Sequence, residues 1–260
     1  MKRVEALESL TLLGSQQYGM VTTSQAEDAG IPRIWLSRLA RQGILQRLRQ
    51  GVYALPSASN DALQELRAAW MVIAARSGSK GPPGGSTPLA VISHSTAAMV
   101  HRLSDLIPSR FEFTSAQLLQ TAQPDVAFYR AELLPHEVSW VRGLPITSIA
   151  RTVSDLSDSY VDLDHLEEII KSAYRYGMSN GDLILAIAPR FDREGIADVR
   201  GFVEEAIDKE LGQGATASLR QKELLRYFVE RLDLTEGESE VLLRELSPET
   251  RDLLTQRLDT

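Results

Sequence analysis

The first sixty residues change hydrophobic period more than once, and each change marks an element. Val4, Leu7, Leu10 and Leu13 recur at helical spacing, with Gly14 placed to end that helix. After the Tyr18-Gly19 turn, VTTSQAEDAG carries two capping-box pairs, Thr22 with Gln25 and Ser24 with Glu27. They predict a short helix from near Thr23 to Gly30. Pro32 suits the first position of the next helix, where its missing N–H costs nothing, and Gly43 should stop that helix. Past Gly43 the period drops to two. Ile44, Gln46 and Leu48 alternate with Leu45, Arg47 and Arg49, and VYAL after Gln50-Gly51 is strand-like. Three helices and then a β-hairpin, with the two short helices joined at Gly30-Ile31, is the order of a winged helix-turn-helix.

Downstream, a helix is expected over 61–75 with Leu63, Leu66, Ala69, Trp70 and Ile73 on one side. PSASN at 56–60 precedes it, and RSGSKGPPGGSTP at 76–88, with ten Gly, Ser or Pro in thirteen residues, follows it. Either stretch could separate two domains. LAVIS (89–93) reads as a buried strand and Ser95–Leu106 as a helix. Segments 110–116, 125–134 and 137–148 alternate like strands. The remainder shows helical spacing over 149–158, 162–176, 180–188, 196–211 and 217–232, and Ser247-Pro248 opens a last helix to about Arg257. The expected fold class is α+β: a winged helix-turn-helix, then a larger mixed α+β domain with a helical C-terminal part.

Charge changes this picture by singling out the head. The chain of 260 residues has a formal net charge of -7. Residues 1–60 nevertheless hold seven Lys or Arg against four acids, leaving 21 basic and 31 acidic residues for the other 200. Between Ile31 and Leu55 there are five arginines and no acid. On a helical wheel of about 100° per residue, with Arg33 at zero, Ser37, Arg41 and Arg38 fall near 40°, 80° and 140°. Trp35, Leu39, Leu36 and Ala40 occupy the opposite arc, near 200° to 340°, and Ile34 is the one apolar intruder among the arginines. The apolar arc anchors the helix, and Trp35 is expected to anchor with it. The other arc offers guanidiniums and a hydroxyl to phosphate oxygens and guanine edges in a major groove. Arg47, Arg49 and Gln50 are expected to extend this surface onto the wing. A solvated helix face is the plain alternative, but such faces ordinarily mix signs. The expected DNA-binding residues are therefore Arg33, Ser37, Arg38, Arg41, Arg47, Arg49 and Gln50.

The chain lacks cysteine, which excludes disulfides and thiolate metal sites. No apolar run approaches the roughly 20 residues of a membrane span, and MKRVEALESL has no apolar signal core. A cytoplasmic protein without a membrane partner is expected. Ser93, His94 and Ser95 adjoin, but adjacency in sequence does not make a nucleophile–base pair. No GxSxG elbow, P-loop or HExxH motif occurs. Ser95 is expected to cap its helix with His94 as a satisfied neighbour. Ser148 is expected to cap the helix in which Arg151 and Asp155 pair at i, i+4. No catalytic residue, cofactor or metal is expected.

GMVTTSQAEDAGIPRIWLSRLARQGILQRLRQGVYAL resembles the N-terminal winged-helix domain of AbiEi-type antitoxins, from toxin–antitoxin systems first classed as type IV. The matching points are Gly19, Thr22, Ala26, Gly30, Leu36, Leu39, Gly43, Leu45 and Gly51-Val52-Tyr53. VISHSTAAMVHRL (91–103) and VRGLPITSIARTVSDL (141–156) resemble later motifs of the same family, in the same order, so the likeness spans roughly residues 1–190. It implies a winged helix-turn-helix over 1–56 and an antitoxin domain over 57–190, with 191–260 a helical extension outside the likeness. It also implies an autorepressor that binds inverted repeats in the double-stranded DNA of its own operon promoter. The second domain would counteract a nucleotidyltransferase-type toxin. The long 76–88 loop departs from the family's compact connection. A plain winged-helix regulator without a toxin partner is the alternative, followed by a head that docks an acidic protein or RNA, and by an enzyme with an unrecognised site.

Overall fold

The computed structural model describes residues 3–58, 60–76, 88–159 and 161–212, with residues 235, 241, 244 and 246. Residues 77–87 of the expected loop, and the helices expected over 217–232 and 247–257, lie outside the described residues. The chain forms two compact units. One is Met1–Val100 with Ile107–Ser148, and the other is His101–Leu106 with Ile149–Thr260. This division falls at neither residue 56 nor residue 190.

The first unit opens with α1 (Arg3–Ser15), β1 (Met20–Thr22), α2 (Thr23–Asp28), α3 (Arg33–Arg41), β2 (Gln46–Arg49) and β3 (Val52–Ala54). The three strands form an antiparallel sheet of order β1-β3-β2, with Val21 opposite Tyr53 and Met20 opposite Ala54. Every position of β1 and β3 is buried. Successive side chains point to opposite faces of a strand, so the two faces meet two different apolar layers. Val21, Tyr53 and Leu55 pack with Ala6, Leu10, Ala26, Ile31, Leu36, Leu39 and Leu45 from the helices. Met20, Val52 and Ala54 pack on the other side, with Leu63, Leu66 and Trp70 of the next helix region and with Phe113, Leu144 and Ile146. The small sheet is a partition between two cores.

That second layer belongs to α4 (Gln64–Arg76), β4 (Val91–Ile92), α5 (His94–His101), β5 (Phe111–Ser115), β6 (Val126–Arg130), β7 (Val138–Val141) and β8 (Leu144–Thr147). The five strands lie in the order β6-β5-β4-β8-β7. β4 runs parallel to β8 and antiparallel to β5, β5 parallel to β6, and β7 antiparallel to β8. EVSWVRGLPITS, read as one strand, is instead a short 3-10 turn (Pro135–Glu137) followed by the β7–β8 hairpin. Arg142 and Gly143 both have positive φ, +49° and +78°. That is the backbone of a two-residue hairpin turn whose twist matches its strands. Gly143 also lies so close to Tyr18 that a Cβ there would sit 2.7 Å from the tyrosine hydroxyl. The helix expected to reach Leu106 ends at His101, where Arg102 takes φ +59°.

The second unit contains α6 (Ile149–Asp158), α7 (Leu163–Arg175), α8 (Asn180–Glu194) and α9 (Val199–Leu211). α6 packs on α8, and α9 on both α7 and α8. Asp162 caps α7 through the His165 N–H, and Ser179 caps α8 through the Asp182 N–H. The helical spacing ends at 188, before Pro189, yet α8 continues to Glu194 and ends at left-handed Gly195. Continuation extends the buried face of Leu183 and Ile187 to Phe191, whose ring lies 5.2 Å from that of Phe202. Tertiary packing outweighs the lost proline N–H. Between α7 and α9, Glu167 accepts ion pairs from Lys171 at 2.6 Å and Lys209 at 2.8 Å.

Phe113 is fully buried in the layer beneath the partition. All three tryptophans (Trp35, Trp70 and Trp140) lie in the first unit, so their fluorescence reports its unfolding. Phe113→Ala should cost about 3–5 kcal/mol, read as a lower urea midpoint of that signal. A loss below about 1 kcal/mol would show that the site does not carry this core.

Candidate nucleic-acid interface

Local chemistry aims α3. The Thr22 hydroxyl accepts the Gln25 N–H at 3.1 Å, and Gln25 Oε1 accepts the Thr22 N–H at 2.9 Å, the capping box read from the sequence. Gly30 follows α2 with φ +77°, a left-handed turn that a side chain would strain. The Ile31 N–H then bonds the Ala26 carbonyl at 2.8 Å. Pro32 stands one place earlier than expected: it precedes the helix with extended backbone, and α3 begins at Arg33. Leu36 and Leu39 are fully buried and fix the rotation of α3 about its own axis.

That rotation leaves Arg33, Arg38 and Arg41 exposed and Ser37 half-buried. Arg33 pairs with Glu27 of α2 at 3.2 Å, both side chains well exposed. The acid missing from residues 31–55 is thus supplied by the preceding helix, at an exposure where a salt bridge contributes little. The Arg38 guanidinium lies over the Trp35 ring at 5.9 Å. Trp35 is half-buried and packs against the helical core, as expected of an anchor. Arg47 and Gln50 are exposed on the hairpin. The hairpin turn itself is tied down, because the Thr23 N–H donates to the Gly51 carbonyl at 2.8 Å.

Arg49 departs from its expected place beside Arg47. Alternation put the two on one face of β2. A β-bulge at Leu48 inserts one extra residue, so Arg47 opposes Tyr53 while Arg49 opposes Val52. One extra residue flips every later side chain to the other face. Arg49 therefore turns toward the second core, with 11% of its side chain exposed. It donates to both Asp125 oxygens, at 2.9 and 2.6 Å, and to Gln123 Oε1 at 2.9 Å. Glu65 lies 3.5 Å away, and the guanidinium sits over the Phe111 ring at 5.6 Å. Beside it, Arg67 lies over the Tyr18 ring at 4.9 Å and pairs with Asp61 at 2.7 Å. Burial pushes the Tyr18 hydroxyl above the usual range despite Arg67.

The Ser-His segment packs against β5 and β6. Ser93 is fully buried, and its hydroxyl lies 2.9 Å from His94 Nδ1. His94 stacks on Tyr129 with ring centroids 3.6 Å apart. α5 begins at His94, so Ser95 lies within its first turn instead of capping it. There Glu112 accepts both the Ser95 N–H, at 2.8 Å, and the Ser95 hydroxyl. In the second unit, Arg151 and Asp155 pair at 2.7 Å along α6, the expected helix contact. Among the described residues no group of three His, Asp or Glu could hold a metal ion. Among them, too, no helix is long and apolar enough to cross a membrane.

Residues 8–56 match the family model described as "Transcriptional regulator, AbiEi antitoxin". Over those residues the chain is similar to that family. The match bears out the resemblance read from the first of the three motifs, and the matched family is one of antitoxin transcriptional regulators; the motifs at 91–103 and 141–156 lie outside it. The AbiEi match takes in β1–β3 and the helices around them, and ends one residue after Leu55. No curated protein matches the chain.

The Arg49 guanidinium, chiefly by hydrogen bonding, holds the Asp125 carboxyl below its usual range. A carboxyl shifted this way stabilises the fold at pH values above the ordinary carboxylate range, and the gain is lost as pH falls through the lowered value. Asp125→Asn should therefore lower the urea midpoint of the first unit near pH ~7 and flatten its decline toward pH ~3. Parallel curves for variant and parent would show that the pair contributes nothing.

Proposed function

We propose that this chain is the antitoxin of a bacterial toxin–antitoxin pair and represses its own operon by placing α3 in the major groove of promoter DNA. The reading rests on one observation: within an AbiEi-matched segment, α3 keeps Leu36 and Leu39 buried while Arg33, Arg38 and Arg41 are exposed. Such a helix offers its first residues to base edges and its flanking arginines to phosphates. The first-turn N–H groups of α3 carry no side-chain cap, which suits a phosphate oxygen at that end. Arg47 and Gln50 would meet the flanking backbone. Arg49 has no part in this contact. Its role is to fasten the wing to the Gln123–Asp125 segment, so the DNA-facing set is Arg33, Ser37, Arg38, Arg41, Arg47 and Gln50.

The partner to be neutralised would be a nucleotidyltransferase-type toxin in the same operon, acting in the cytoplasm. The remaining 200 residues, net acidic, are available for that task. Their charge suits a protein partner better than a polyanion.

Arg38→Ala combined with Arg41→Ala should weaken binding to the chain's own promoter. It should also lower the slope of log affinity against log salt by about one to two units. In cells that make the neighbouring toxin, the same full-length double variant should lose repression yet still restore growth. Equal affinity and slope in gel shifts would overturn the assignment of α3. Retained repression without rescue by the parent would leave a plain regulator.

A further inference from the structure

One apolar side chain lies where the DNA-facing arc should be wholly polar. Ile34 is the second residue of α3 and is 49% exposed. Its position on the wheel, near 100°, falls between Arg41 near 80° and Arg38 near 140°. Trp35, Ala40 and Ile44 of the same segment pack against the helical core, whereas Ile34 is exposed. Scattered apolar residues on a surface need no explanation. One in the first turn of a recognition helix, at the centre of three exposed arginines, stands where base edges would come.

Resting on the DNA-binding reading above, we propose that Ile34 is a specificity-determining residue that packs on the C5-methyl of a thymine in the major groove. A branched aliphatic side chain neither donates nor accepts hydrogen bonds. Pressed against a guanine, adenine or cytosine edge, it would strip water from a polar group and return nothing. The thymine methyl is the apolar group that base pairs present in that groove. Arg33, Arg38 and Arg41 around it supply the charge complementarity that would bring the duplex close enough for van der Waals contact. Arginines so placed can hold phosphates or read guanine, and Ile34 adds a thymine requirement that they cannot.

The test uses the full-length chain and duplexes it enriches from a random-sequence pool. Within an enriched site, each thymine is replaced in turn by uracil, which removes one methyl and leaves base pairing intact. The expected result is one or more positions where uracil weakens the parent about fourfold, the amount set by burying one methyl. Ile34→Ala should bind the thymine duplex about fourfold more weakly and the uracil duplex as the parent does. Ile34→Val should keep the discrimination, and Arg38→Ala should keep it while losing salt slope. Two results would overturn the proposal: a parent indifferent to uracil at every position, or an Ile34→Ala chain that still discriminates. If no duplex is enriched, the DNA-binding reading fails, and this one fails with it.

Discussion

Strands β1 and β3 of the small sheet are buried on both sides, and the rest of the first unit depends on that constraint. One buried face already specifies a strand's register, and a strand between two dry layers must satisfy both at once. Met20, Val52 and Ala54 commit one face to α4 and the five-stranded sheet. Val21, Tyr53 and Leu55 commit the other to α1, α2 and α3. The orientation of α3 is thereby referred to the larger sheet, because Leu36 and Leu39 close on the same layer as Tyr53. Two polar clasps reinforce the seam: Arg49 on Asp125 and Gln123, and Tyr18 between Arg67 and the Gly143 turn.

The bulge at Leu48 shows how little it takes to move an arginine from one task to another. Without it, Arg47 and Arg49 would both stand on the outer face of β2. With it, one remains available to a polyanion and the other becomes a buried strut held by a carboxylate, an amide and an aromatic face. The strut also explains why the count of arginines in the head overstates its free positive charge. Arg49 is matched by Asp125, and Arg33 shares Glu27.

What could be read from the sequence was local. The Thr22–Gln25 box, Gly30 and the wheel of α3 depend on neighbours within one or two turns, and each is as expected. What could not be read depended on distant partners. The bulge is defined only against β3, and Arg49 finds its acid 76 residues along the chain. Two further signals do lie in the sequence. The unbroken apolar run Val52–Leu55 is the pattern of a strand buried on both faces, and Arg142-Gly143 is a turn inside what reads as one strand. Ile34 was visible as an exception on the wheel. Its exposure, against the burial of Leu36 and Leu39, depended on how α3 packs.

The AbiEi match stops where the hairpin stops, but the physical unit does not. Severed there, the head would carry Met20, Val52 and Ala54 as a bare apolar face, an invitation to self-association. A head of this kind is not a cartridge. Exchanging it between relatives would require the underside of the small sheet and the upper surface of α4 to change together. If α3 reads DNA as proposed, new operator preferences would arise more easily by altering its outer residues in place than by importing another head.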